Sequence, residues 1–96
     1  MDEMERNKIL FSSLVMTFHA AAMQHMGKIK NPLNDKIEQN LEQAQYVIDM
    51  LDMLSTHTKG NLSEEEQRLL TTVSQELKLN YVDEISKQQT PPKEKQ

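Results

Sequence analysis

The chain has 96 residues, the size of one small domain. It carries 15 acidic and 11 basic side chains, a formal net charge of -4, which is opposite to the basic surface that nucleic-acid binding requires. Its two glycines are too few for the glycine-rich loops that bind nucleotide phosphates. The lack of cysteine excludes disulfides and thiolate chemistry and is compatible with the cytoplasmic location that we expect.

Residues 9–27 contain no charged side chain and are the one candidate for a transmembrane segment. Polar side chains interrupt this segment at Ser12, Ser13, Thr17, His19, Gln24 and His25. Lipid offers such groups few hydrogen-bond partners, so we expect a helix of a soluble protein and no membrane span. The acidic start of the chain also lacks the basic region of a secretory signal.

The spacing of apolar residues predicts an all-α fold, a small bundle of about three helices. Helix 1 is expected over about residues 6–26 and ends before Gly27. Helix 3 is expected to begin after Ser63, which forms a capping box with Glu66. Whether helix 3 continues past Asn80 is left open.

Helix 2 is expected to begin at Asn34 or Asp35, with Glu38 completing a capping box, and to end at about Thr58. One face carries apolar residues: Ile37, Leu41, Ala44, Val47, Ile48, Leu51 and Leu54. The opposite face carries an acidic row that could dock a protein partner: Glu38, Glu42, Asp49 and Asp52. A solvated face is the alternative, and a divalent cation site would need further oxygen ligands.

The sequence predicts one helical domain over residues 1–85. Residues 86–96 contain no apolar side chain except two prolines. We therefore expect a disordered C-terminal tail over residues 86–96.

Helix 1 is apolar on two sides. One side faces the predicted core, and a second strip nearly opposite consists of Ile9, Met16, Ala20 and Met23. A helix of a three-helix monomer needs to bury only one side, so the second strip predicts a homodimer formed through helix 1. The alternative is a peripheral membrane module, or one that binds a small hydrophobic ligand.

Several segments resemble a small bacterial family of helical domains of unknown function. The resemblance rests on Phe11–Val15, Asn31-Pro32, Ile48–Leu51 and above all Thr58–Glu66. It covers about residues 8–83 and departs from the family pattern at His57 and Lys78. It implies a compact helical protein, and it implies no activity, cofactor or catalytic residue.

Histidine and methionine residues on helix 1 are candidates for a metal-binding or a pH-sensitive site. Met16, His19, Met23 and Met26 follow at spacings of three and four and could supply soft ligands for Cu(I), although packing is the ordinary role of methionine. His25 is predicted on the apolar side, either as a core histidine bonded to a neighbouring helix or as a pH-sensitive group. No spacing places a nucleophile or acid beside His25, so we expect no enzyme, no cofactor and no metal.

Overall fold

The computed structural model describes residues 1–89 and consists of three α-helices that all pack against one another. They are α1 (Glu3–His25), α2 (Leu41–His57) and α3 (Glu64–Gln89). This confirms the predicted all-α bundle. α3 is continuous past Asn80.

The core is formed by the inward faces of the three helices and by Met26, which follows α1. Its buried side chains are Val15, Ala22, Met26, Ala44, Val47, Ile48, Leu51, Leu70, Val73 and Leu77. They recur at spacings of three, four and seven, as expected for helices that each bury one stripe. Leu62, between α2 and α3, also packs against this core.

α3 begins at the predicted capping box. Ser63 Oγ accepts from the amide of Glu66 at 3.1 Å, and the amide of Ser63 donates to Glu66 Oε1 at 3.0 Å. Two donors that the first turn of a helix cannot satisfy internally are therefore paired.

The predicted start of helix 2 is wrong. Asp35 has a φ of 57°, whereas a helix N-cap requires an extended conformation. Glu38 does not cap a helix, because its Oε1 accepts from the side-chain amides of Asn31 and Asn34. α2 begins six residues later than Asp35, with Asn40 Oδ1 accepting from the amide of Gln43 at 3.1 Å.

Residues 26–40 instead form an ordered loop, which we call the α1–α2 loop. Asn31 and Lys36 form an isolated antiparallel bridge, with the amide of Asn31 donating to the carbonyl of Lys36 at 2.8 Å. Asn31 Oδ1 also accepts from the amide of Leu33 at 2.9 Å, a turn that competes with helix formation. Ile37, predicted on the core face of helix 2, is consequently exposed.

The C-terminal part of α3 extends the ordered structure beyond the predicted boundary at residue 86. The helix continues through Gln89, and Gln88 Nε2 donates to Gln39 Oε1 in the α1–α2 loop at 2.7 Å. Residues 86–89 are thus helical. The remaining residues of the predicted tail, 90–96, lie outside the described residues.

Candidate interaction surfaces

One side of α1 faces away from both other helices and carries no charge over about three turns. We call this side the outward face, and it consists of Ile9, Leu10, Ser13, Met16, Thr17 and Ala20, all exposed. Ile9 and Leu10 are each about half exposed, at 52% and 51%. The hydroxyl of Thr17 is satisfied within the helix, because it donates to the carbonyl of Ser13 at 2.8 Å. The outward face therefore presents apolar surface and small side chains.

Three of the four residues predicted for a helix 1 interface lie on this face: Ile9, Met16 and Ala20. Met23, the fourth, is half-buried and packs against the core of its own chain. The surface that the structure offers is therefore shifted toward Leu10, Ser13 and Thr17.

The methionine and histidine residues considered as a Cu(I) site do not share one surface. Met26 is buried in the core, whereas Met16 is exposed. His19 is half-buried, and its Nε2 lies 2.6 Å from Glu76 Oε1 on α3. Within residues 1–89, no three His, Asp or Glu side chains are grouped so that they could hold a metal ion.

The sequence predicts His25 on the apolar, core-facing side of helix 1, but the structure places it outside the core. It is half-buried and lines a polar cleft of about 320 Å³ together with Gln24, Asn31, Glu38, Gln39 and Asn40. The backbone carbonyl of His25 accepts from the amide of Asn40 at 2.7 Å, which joins the end of α1 to the start of α2. A pH-sensing role stays a prediction, and the stability of wild type and His25→Gln between about pH 5 and pH 8 would check it.

The predicted acidic row does not form one continuous face. Glu38 lies in the α1–α2 loop, before α2 begins. Asp52 forms an ion pair with Lys78 on α3 at 2.9 Å and accepts from Ser74. Glu42 and Asp49 are exposed on α2.

A buried carboxylate on α3 holds the α1–α2 loop in place. Glu84 is 8% exposed, and its Oε2 lies 2.6 Å from Lys28 Nζ and 3.0 Å from Lys87 Nζ. Its Oε1 accepts from Gln39 Nε2 at 3.0 Å, and the same Nε2 donates to the carbonyl of Met26. We call Lys28, Gln39, Glu84 and Lys87 the Glu84 cluster.

The Glu84 cluster is arranged to keep its carboxylate ionised. Hydrogen bonding to Lys28 is the main cause that lowers the pKa of Glu84; burial opposes this, and Lys87 adds to it. Hydrogen bonding to Lys87, followed by Lys28, likewise lowers the pKa of Asp83. The pKa of Lys87 is raised, chiefly by its hydrogen bond to Glu84.

Sequence reasoning missed the Glu84 cluster, although one signal was available. Glu84 follows Leu70 and Leu77 at intervals of seven and therefore lies on the core face of α3. A charged residue at such a position indicates a buried partner, because an unpaired buried charge is too costly.

The α1–α2 loop exposes apolar side chains near its turn. Leu33 is 93% exposed, and Ile29 and Ile37 are 42% and 57% exposed. The bridge between Asn31 and Lys36 and the Glu84 cluster fix the backbone that carries these side chains. This loop is a second exposed apolar surface.

Within residues 1–89, no helix is both long and apolar enough to span a membrane. No curated protein and no solved structure matches this chain. A family model matches residues 8–83, from the second turn of α1 to the residue before Glu84 on α3. The chain therefore belongs to the family described as "Domain of unknown function (DUF1844)".

Proposed function

We propose that this protein is a non-enzymatic helical interaction domain that forms a homodimer through the outward face of α1. The observation that carries the proposal is the uncharged, exposed outward face on a chain in which 27% of the residues are charged. Solvated helix faces ordinarily carry charged side chains, so a helix with a second apolar side calls for further burial.

The side chains of the outward face suit a close contact between helices. Ser13, Thr17 and Ala20 are small and allow two helix backbones to approach. Ile9 and Met16 lie beside them and would lose exposed apolar surface in a dimer, which stabilises by about 25 cal/mol per Å². Met16 has a flexible side chain that adapts to the surface it meets.

The proposal includes a cytoplasmic location, with which a cysteine-free composition is compatible. It also includes a role that depends on binding and not on catalysis. Polar side chains of the His25 cleft are bonded to other groups of the fold: Asn31 to Glu38, and Asn40 to the amide of Gln43 at the start of α2. This pattern supports a structural role for the cleft residues.

Light scattering across a concentration series tests the homodimer. We expect wild type to have the mass of a dimer and the double variant Ile9→Glu, Met16→Glu to have that of a monomer, because four buried carboxylates would be unpaired per dimer. Met53→Glu is the matched control, since Met53 is also half exposed but lies on α2. A wild-type monomer at every concentration would disprove the proposal.

Co-sedimentation with liposomes distinguishes a lipid-facing role for the same surface. We expect wild type to remain in the supernatant with vesicles of neutral or anionic lipid. If wild type instead sediments with the vesicles and the double variant Ile9→Glu, Met16→Glu does not, the outward face binds lipid. That result would contradict the homodimer as the function of this face.

A further inference from the structure

Arg6 is a charged residue on the same side of α1 as the outward face. At about 100° per residue, it projects in nearly the same direction as Leu10, Ser13 and Thr17. Arg6 is exposed, and none of the ion pairs within residues 1–89 includes it. A guanidinium at the end of an uncharged face is suited to bind a carboxylate on whatever covers that face.

A carboxylate lies at the opposite end of the same face. Gln24 is one turn beyond Ala20 on α1, and it lines the polar cleft together with Glu38. Both hydrogen bonds that Glu38 receives, from Asn31 and Asn34, end on Oε1. Because Glu38 is exposed, its Oε2 can accept from a further donor.

Arg6 cannot reach Glu38 within one chain. Arg6 and Gln24 are separated along α1 by about 27 Å, at about 1.5 Å per residue, which exceeds the length of an arginine side chain. A second copy that packs with its α1 antiparallel would bring each Arg6 to the cleft end of the other helix. A parallel pair would instead place Arg6 beside Arg6.

The sizes of the side chains on the outward face favour the same arrangement. In an antiparallel pair with Ile9 opposite Ala20, Ser13 lies opposite Met16, so Ile9 and Met16 each meet a small side chain. This register places Arg6 opposite Met23, one residue from Gln24. A parallel pair would oppose Ile9 to Ile9 and Met16 to Met16 and leave gaps between the small residues.

We propose that two copies pair antiparallel through the outward face of α1 and that Arg6 of each copy binds Glu38 of the other. This inference rests on the homodimer proposed above and assigns its orientation and its two symmetric ion pairs. The cleft thereby gains a role as the receptor for Arg6 of the second copy.

Charge reversal and mixing test the ion pairs. In a homodimer of Arg6→Glu, position 6 of each copy places a carboxylate against the carboxylate of Glu38 of the other copy. In a homodimer of Glu38→Arg, two guanidinium groups face each other in the same places. We expect each variant to dimerise at least about tenfold more weakly than wild type, since like charges in an interface repel. In an equimolar mixture both ends regain opposite charges, so we expect a heterodimer of near wild-type affinity. A mixture that behaves as the sum of its components would overturn the assignment.

Two variants with the same changes of charge serve as controls. Lys8→Glu changes an exposed cation on another side of α1, and Glu42→Arg changes an exposed carboxylate on α2. Both should dimerise as wild type does. Glu38→Gln retains an oxygen acceptor for Asn31, and we expect it to weaken the dimer without altering the urea denaturation of the monomer, measured at a concentration too low for either protein to dimerise. Equal weakening by Lys8→Glu and Arg6→Glu would show an effect of net charge alone and would overturn the pairing.

Disulfide mapping tests the orientation independently, because the chain contains no cysteine. We expect Ile9→Cys to cross-link with Ala20→Cys in a mixture under mild oxidation, and neither variant to cross-link efficiently with itself. Self-linked Ile9→Cys would indicate a parallel pair and overturn the inference while leaving the homodimer intact. A wild-type monomer in light scattering would instead remove the homodimer itself.

Discussion

Gln39 Nε2 lies 3.0 Å from Glu84 Oε1, and this contact joins the α1–α2 loop to the far end of α3. The same Nε2 donates to the carbonyl of Met26, directly after α1. One side chain of the loop thus connects the ends of two helices. The loop geometry that positions Glu38 and the exposed apolar residues depends on this connection.

Removing the carboxylate of Glu84 should destabilise the fold. Glu84→Ala removes a buried acceptor from both Gln39 and Lys28, which leaves Gln39 Nε2 only the carbonyl of Met26 and Lys28 Nζ only Asp83. We expect a loss of about 1 to 3 kcal/mol in the free energy of unfolding. Glu84→Gln keeps one acceptor oxygen and should cost less. Urea denaturation monitored by circular dichroism measures both values.

Asp49→Ala is the control for this series, because Asp49 is exposed and bonds only to Gln45 of its own helix. We expect its effect to stay within about 0.5 kcal/mol. A double-mutant cycle with Gln39→Ala should give a coupling of at least about 0.5 kcal/mol with Glu84→Ala. Additive effects of the two changes would show that the 3.0 Å contact contributes nothing to stability.

Acid should weaken the fold partly through Glu84. Its pKa is lowered in the folded protein, so as pH falls below about 4.3, the ordinary value for glutamate, the unfolded chain takes up the proton first. The stabilisation is present above that pH and is lost as pH falls through the folded pKa. Stability curves of wild type and Glu84→Gln should therefore converge toward acid pH, and parallel curves would contradict this account.

The sequence predicted the helical segments because their apolar periodicity is local information. The start of α2 was missed because two interpretations of the same residues competed. Asp35 and Glu38 have the spacing of a capping box, but Asn31, Pro32 and Asn34 favour turns. The side-chain oxygens of both asparagines accept from backbone amides of the loop and stabilise it. Asn40 and Gln43 also had the spacing of a cap, three residues apart.

The candidate surfaces were partly predictable, because apolar periodicity along a helix is local information. The exposure of Ile9, Met16 and Ala20 follows from helical periodicity, which places them away from Val15 and Ala22. The half-burial of Met23 depends on how the other helices approach α1. The cleft that contains His25 and Glu38 depends on the path of the loop, which periodicity does not specify.

The capping box at the start of α3 gives a quantitative prediction. Ser63→Ala removes the acceptor for the amide of Glu66, and we expect a loss of about 1 kcal/mol in stability. For a domain of this size, that corresponds to a fall of about 4 to 8 °C in Tm. Ser63→Asp restores an acceptor and should recover most of the loss; equal Tm values for wild type and Ser63→Ala would contradict the role of the cap.

The two glycines provide the last prediction, because they share a conformation but differ in their surroundings. Gly27 and Gly60 have φ values of 83° and 86°, in the left-handed region that costs other residues about 1 kcal/mol or more. A Cβ on Gly27 would lie 3.6 Å from Gln39 Cβ, an ordinary contact, and a Cβ on Gly60 would meet nothing within 4 Å. We therefore expect Gly27→Ala and Gly60→Ala to lower stability by similar amounts, each by about 1 kcal/mol, since backbone strain and not space sets the cost.

Thermal denaturation of the two variants beside wild type measures the loss of stability in each. A much larger loss for Gly27→Ala would mean that the added Cβ displaces Gln39 from Glu84, and combining it with Gln39→Ala would then abolish the excess.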